Sequence, residues 1–448
     1  MLREVAESDA YANLVLPPLL RHRSITGRDA GFATELAYGT LRMRGRYDAI
    51  IALAADRPVS AIDAPLLDVL RLGVHQVLAM RVPAHAAVSE SVALARARIG
   101  VGPSQFVNAV LRRVTQASPQ EWEDRIVAGA GTDPTTVAAV RHSHPAWMVR
   151  AMRQALTADG RDPGELDQLL AANNDPPAVT LAVRPGLIER DELLRTGSGR
   201  AGRWAPTAVV IDGGDPGAVP AVRRGLAGVQ DEGSQLVTLA FLGPAVEGRD
   251  RRWLDLCAGP GGKTALLAGS AVQREAHVVA NEVAPHRALL VERAIAPVPE
   301  DLVEVRTGDG RLLGEHEPGS YDRVLLDAPC TGMGALRRRP ESRWRRDVTD
   351  LTQLTTLQRE LLDAALDAVR PGGLVGYVTC SPHVAETRLI VADVLRARDD
   401  AEQLDARHAV RGVAGRIELG PGPAVQLWPH VHGTDAMHLA LLRRTGKR

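Results

Sequence analysis

From about residue 250 onward, short apolar runs alternate with helix-length stretches, and this alternation constrains the fold more than any other feature of the chain. The runs are WLDLC at 253–257, HVVAN at 277–281, LVEV at 302–305, RVLLD at 323–327 and LVGYVT at 374–379. Parallel strands cannot be joined by tight turns; they need crossovers of a dozen residues or more, which the intervening helices supply. The pattern predicts a doubly wound, mostly parallel sheet. Ligands of such sheets bind beyond the carboxyl ends of the strands.

At 448 residues the chain exceeds one ordinary core, so two or three domains are expected. Residues 1–140 read as all-helical. Leu66, Leu67, Leu70, Val74, Val77 and Leu78 fall on one helical face, and further helices are expected at 86–99 and 105–114. Between Arg3 and Arg113 there are 14 Arg against 10 acidic residues, with clusters at Arg42, Arg44 and Arg46 and at Arg112 and Arg113. That excess suits a solvated face and an RNA-binding face equally. Residues 145–245 mix extended stretches, 178–183 and 208–211, with turns such as GGDPG at 213–217, the pattern of a small α+β linker module. Residues 246–448 form the expected α/β Rossmann-like domain.

Composition excludes several classes. Basic and acidic residues number 54 each, so net charge gives no case for a nucleic-acid partner, and any RNA contact must come from local patches. The first residues are charged, and no run reaches about 18 uncharged apolar residues; we expect a cytoplasmic protein with no membrane segment. The three cysteines, Cys257, Cys330 and Cys380, argue against a disulfide framework and a four-thiolate zinc site, and no metal is expected. Lysine occurs only at Lys263 and Lys447, against a heavy arginine bias, which suggests a role for which a guanidinium is unsuited. With no heptad pattern, the expected state is a monomer.

The first run leads into Cys257, Ala258, Gly259, Pro260, Gly261, Gly262, Lys263 and Thr264, a strand, a glycine turn and a helix start. Glycines there let a ligand approach the backbone and meet helix N-terminal amides. A phosphate-binding loop would need Gly at Cys257, and a dinucleotide fingerprint would need Gly or Ala at Thr264. Glu282 ends the second strand, where it can accept ribose hydroxyls, and Asp309 follows the third, placed to meet an adenine amino group. Two carboxylates would repel phosphates, so the set favours S-adenosylmethionine over a nucleotide.

The fourth run ends in Asp327-Ala-Pro-Cys330-Thr-Gly-Met-Gly and the fifth in Thr379-Cys380-Ser-Pro, so neighbouring strands present a cysteine each at one sheet edge. Carbon 5 of cytosine is a poor nucleophile until a group adds at carbon 6, and a thiolate suits that addition. Cys380 is the candidate nucleophile and Cys330 the candidate for removing the carbon 5 proton. Asp327 is assigned to the ring edge, and Lys263 is within reach from the adjacent turn. Next comes an arginine run, Arg337, Arg338, Arg339, Arg343, Arg345 and Arg346, with one tryptophan. It is expected either to hold single-stranded RNA or to be a charged surface loop.

CAGPGGKT, DAPCTGMG and VTCS, in this order, resemble the motifs of the Sun/Nop2 family of RNA 5-cytosine methyltransferases. ELAYGTLR at 35–42, LRLGVHQVL at 70–78, HAAVSESV at 85–92 and FVNAVLRR at 106–113 resemble the NusB-like RNA-binding domain. The resemblance implies Cys380 as nucleophile and Cys330 assisting release. It also implies cofactor contacts from 257–263, Glu282, Asp309 and Asp327, and, through the NusB-like part, small-subunit ribosomal RNA as substrate. Gly259 stands where the family commonly has alanine, and 432–438 lacks the family's glycine-plus-aromatics. Transfer RNA as substrate, a DNA cytosine methyltransferase and a non-catalytic RNA-binding assembly factor are the alternatives. The DNA enzyme would use the Pro-Cys cysteine as nucleophile, with no need for Cys380.

Overall fold

The computed structural model describes residues 1–8 and 10–446, so Lys447 lies outside the described residues. Two compact units make up the chain. One comprises Met1–Arg150, Leu166–Pro176 and Leu336–Arg346, the other Ala151–Glu165, Pro177–Ala335 and Asp347–Arg448.

The first unit is helical. Short helices α1 (Leu2–Glu7) and α2 (Ala12–His22) precede α3 (Gly27–Arg42), α4 (Arg44–Ala55), α5 (Ala64–Leu78), α6 (Ala84–Arg98) and α7 (Val101–Val114); α8 (Pro119–Gly129) and α9 (Pro134–Arg141) follow. Leu66, Leu67, Leu70 and Val74 of the expected stripe are buried against Ile50, Ile51, Val107 and Leu111, while Val77 and Leu78 flank this core. Gly73 allows the close approach of α5 and α7, since a Cβ there would sit 2.5 Å from Leu111 Cδ1. A reciprocal cap starts α8: Ser118 Oγ accepts the Glu121 amide, and Glu121 accepts the amide of Ser118.

The second unit holds two sheets. The smaller is antiparallel, with strands β1 (Val179–Val183), β2 (Arg200–Ala201), β3 (Ala208–Ile211) and β4 (Ala227–Val229) in the order β2-β3-β1-β4. Both extended stretches expected in the linker module are strands of this sheet. The larger contains β5 (Arg252–Asp255), β6 (His277–Glu282), β7 (Val303–Thr307), β8 (Tyr321–Asp327), β9 (Val369–Thr379), β10 (Ala401–Leu404), β11 (Val425–Gln426) and β12 (His438–Arg444). Its order is β10-β12-β9-β8-β5-β6-β7, with β11 paired to β12. Strands β5 to β9 run parallel to their neighbours, as the alternation predicts, and β12 lies antiparallel to β9. The winding reverses between β5 and β8, where doubly wound sheets bind ligands. Helices α10 (Glu232–Leu242), α11 (Gly262–Arg274), α12 (Pro285–Ile295), α13 (Asp350–Ala368) and α14 (Arg388–Ala397) belong to this unit. Trp253, Leu254, Val278, Val279, Val324, Leu325 and Val375 have no exposed surface, which accounts for the near-continuous apolar character of their strands. Among the described residues no helix is long and apolar enough to cross a membrane.

Candidate active site

Strand β5 stops at Asp255 because the chain turns at 256–261 to enter α11. Gly261 caps that helix with φ +104°, a left-handed conformation suited to glycine. At the end of β6, buried Glu282 folds over the turn. Its Oε2 accepts the Gly259 amide at 2.9 Å and its Oε1 accepts the Ala284 amide at 3.0 Å. A Cβ at position 259 would sit 2.3 Å from that Oε2, which gives the departure from the family's alanine a local reason. Each carboxylate oxygen retains acceptor capacity for a ribose hydroxyl.

Sequence reasoning missed two residues that brace this turn. Arg287 of α12 donates to the Gly259 carbonyl, and Asn281 Nδ2 donates to the carbonyls of Leu256 and Gly308 at 3.1 Å each, tying the turn after β5 to that after β7. Thr264 Oγ1 donates to buried Asp255 at 2.7 Å; burial nonetheless pushes that carboxyl up to about 7. Burial, then the charges of Asp255, Asp327 and Glu282, push the Cys257 thiol well up, so it stays protonated and serves as wall rather than nucleophile. Asp309 accepts the Arg311 amide at 3.0 Å and pairs with its guanidinium at 2.6 Å, which holds the carboxyl below its usual range.

Lys263 Nζ lies 2.7 Å from Asp327 Oδ2. Burial works against the ammonium, but Asp327 first, then Cys380 and Asp255, outweigh it and hold the charge. The one lysine near the glycine turn is thus committed to a carboxylate, which suits a phosphate-free, cationic nucleoside such as S-adenosylmethionine.

β8 and β9 run side by side with Asp327 opposite Val378, so the segments leaving them emerge at one edge. The sulfurs of Cys330 and Cys380 stand 3.4 Å apart, both residues partly exposed and neither in a disulfide. The hydrogen bond with Cys380, then burial and the charges of Cys380 and Glu386, push the Cys330 thiol well up. The Gly334 amide donates to the Cys380 carbonyl at 2.8 Å, and a Cβ at 334 would come within 2.3 Å of the Ala436 carbonyl oxygen, so the segments are closely packed. Sequence reasoning also missed Glu386, a buried acid that accepts from residues beside both cysteines.

Two members of the arginine run, expected to hold single-stranded RNA or to form a charged surface loop, are buried. Residues 336–346 belong to the helical unit. Arg343 has no exposed surface; its Nη1 donates to the carbonyls of Arg42 and Ser143 and to Asn174 Oδ1, and its Nη2 to the carbonyl of Asn173, at 2.8 to 3.1 Å. Arg337 is buried too, so neither presents itself to a phosphate. Arg345 donates to the carbonyls of Val5 and Ala10, and the Arg339 and Arg345 guanidinium groups lie 4.8 and 5.2 Å over the Tyr11 ring. Arg338 is half-buried and Arg346 exposed.

A switch-point sheet, a glycine turn and acids at successive strand ends define the S-adenosylmethionine-dependent methyltransferase class. The profile described as 16S rRNA methyltransferase RsmB/F matches residues 242–443, and the NusB family profile matches residues 1–116. Over 443 residues the chain is 53% identical to Rv1407 of Mycobacterium tuberculosis, named as a methyltransferase, covering 99% of this chain and 94% of that one. It is 32% identical over 412 residues to ribosomal RNA small subunit methyltransferase B of Pseudomonas putida, covering 90% of this chain and 89% of that one. The crystal structure of PH0851 shares the fold, with a TM-score of 0.78 at 21% identity over 95% of this chain and 93% of that one. The chain belongs to the RsmB/F methyltransferase family, with a NusB domain at its N-terminus, and its cofactor is S-adenosylmethionine.

Proposed function

We propose that this enzyme methylates carbon 5 of a cytosine in small-subunit ribosomal RNA, with Cys380 as covalent nucleophile. The observation that carries the reading is the sulfur pair, 3.4 Å apart on the segments that leave two neighbouring parallel strands. Residues 257–263, Glu282, Asp309 and Asp327 would hold S-adenosylmethionine, which supplies the methyl group. The Cys380 thiolate adds to carbon 6, the ring nitrogen takes a proton from solvent, and carbon 5, now nucleophilic, would take the methyl group while the donor sulfur leaves as a neutral thioether. Asp327, fixed by Lys263, stabilises the ring edge as that nitrogen gains a proton.

Forming the carbon–sulfur bond removes the charge beside Cys330, so its proton passes more readily to water. The resulting thiolate takes the carbon 5 proton, the electrons of that bond expel Cys380 and restore the ring double bond, and the ring nitrogen returns its proton to solvent. The pair returns to its starting state: a thiol at Cys330 and a thiolate at Cys380.

The name of the Pseudomonas putida relative supports ribosomal RNA as the substrate. Arg346, exposed at the end of the arginine run, is the contact we assign to RNA phosphates, together with half-buried Arg338, Arg339 and Arg345. We take the enzyme to act as a cytoplasmic monomer, with a helical RNA-binding domain at 1–140, a linker module at 145–245 and a catalytic domain at 246–448.

The test is methyl transfer from labelled S-adenosylmethionine to deproteinised small-subunit ribosomal RNA, with transfer RNA in parallel and the product nucleoside identified by mass spectrometry. 5-Methylcytidine in ribosomal RNA alone is expected. Labelling of transfer RNA alone overturns the substrate, and cofactor binding without labelling of either RNA or of assembling particles overturns the reaction.

A further inference from the structure

One buried carboxylate joins both cysteine segments. Glu386 follows Cys380 by six residues and has no exposed surface. Its Oε1 accepts the Thr331 amide at 2.7 Å, immediately after Cys330, and its Oε2 accepts the Thr331 hydroxyl at 2.6 Å. The same Oε2 accepts the hydroxyl of Ser381, immediately after Cys380, also at 2.6 Å. Gln358 of α13 donates at 2.7 Å to the carbonyl of Pro329, immediately before Cys330, and at 3.3 Å to Glu386 Oε1. The Tyr377 hydroxyl donates to the Glu386 carbonyl at 2.7 Å and so anchors the acid to β9. The two loops leave different strands, and a buried carboxylate surrounded by donors is expensive to move.

The geometry points to Glu386 as the positioning residue of the cysteine pair: its carboxylate clamps the segment after β8 to the segment after β9 and so sets the distance between the two sulfurs. It touches neither substrate nor cofactor and acts only through the residues beside Cys330 and Cys380. Its charge has a second effect, since it adds to the forces that keep Cys330 protonated. The inference rests on the reading of Cys380 and Cys330 as the reacting pair.

The test uses full-length Glu386→Gln and Thr331→Val proteins. The glutamine keeps the size and one acceptor but removes the charge; the valine removes one hydroxyl link and spares the acid. Steady-state kinetics on the unmethylated RNA substrate should show kcat lowered about 10- to 100-fold in Glu386→Gln with little change in KM, the scale expected when a reacting group is displaced by about an ångström.

Alkylation by iodoacetamide between pH 6 and 9, followed by peptide mass spectrometry, reads the thiols directly. In the native protein Cys380 should react well ahead of Cys330; in Glu386→Gln that preference should shrink, and in Thr331→Val shrink less. Native kcat with native alkylation order in Glu386→Gln overturns the inference. So does a fall in kcat with unchanged order and a matching rise in KM, which marks general loosening. Should Glu386→Gln fail to fold, Thr331→Val decides by the same two readouts. Native activity in Cys380→Ala would instead overturn the underlying reading, whatever Glu386 does.

Discussion

In the proposed reaction two identical side chains perform opposite steps, Cys380 adding to the base and Cys330 helping to release it. The two sulfurs lie 3.4 Å apart, and the hydrogen bond with Cys380, burial and the charges of Cys380 and Glu386 push the Cys330 thiol well up. The consequences of removing each sulfur are therefore unlike. Cys380→Ala should lose methyl transfer by roughly a thousandfold or more and form no covalent RNA adduct, because nothing then adds at carbon 6. Cys330→Ala should still add and accept the methyl group but stall before release, leaving an RNA–protein band that survives denaturing electrophoresis. A stable adduct in Cys380→Ala and none in Cys330→Ala would reverse the assignment.

At the scale of elements, the arginine run shows what a sequence can and cannot display. The strands that build the site were legible because their apolar runs are buried on both faces, and the paired cysteines because each sits at a strand end. Glu386, Arg287 and Asn281 were not, because each acts through backbone groups or hydroxyls brought near only by folding. The run 337–346 was misleading for the same reason. Six arginines look alike in sequence whether phosphates or carbonyls receive them, and the acceptors of Arg343 come from residues 42, 143, 173 and 174. Arg343→Ala should lower the stability of the helical unit by about 2–4 kcal/mol, because buried carbonyls lose their donors. Arg343→Lys should recover little, since an ammonium cannot reproduce the fork. Arg346→Ala should instead lower RNA affinity uniformly, with the salt dependence reduced by about 0.7 in log–log slope for single-stranded RNA. Thermal unfolding and RNA titration at several salt concentrations separate the two.

For the molecule as a whole, each compact unit buries a histidine that stays neutral. Burial, reinforced by Arg343, pushes His144 of the helical unit well down, and burial, with Arg388 adding to it, pushes His438 of the second unit down to about 3. A base with a depressed folded-state value favours the fold when uncharged. Its contribution is complete above the unfolded value near 6.5 and is lost as pH falls toward the folded one. For His438 the loss between pH 6.5 and 4.5 is on the order of 2 kcal/mol. Asp255 runs the other way: its carboxyl, raised to about 7, favours the fold in acid and loses that contribution as pH rises through 4 to 7. The native Tm profile sums these opposed effects, so the clean measurement is a difference. His438 faces Thr379 across β12 and β9 and lies edge-on to Tyr377 at 6.4 Å, an environment that accepts an apolar side chain. His438→Leu should shift Tm by a constant above pH 7 through altered packing, and below pH 6.5 its Tm should fall less steeply than the native one, by up to one proton's worth of slope. Parallel profiles down to pH 4.5 would show that this histidine does not bind its proton on unfolding.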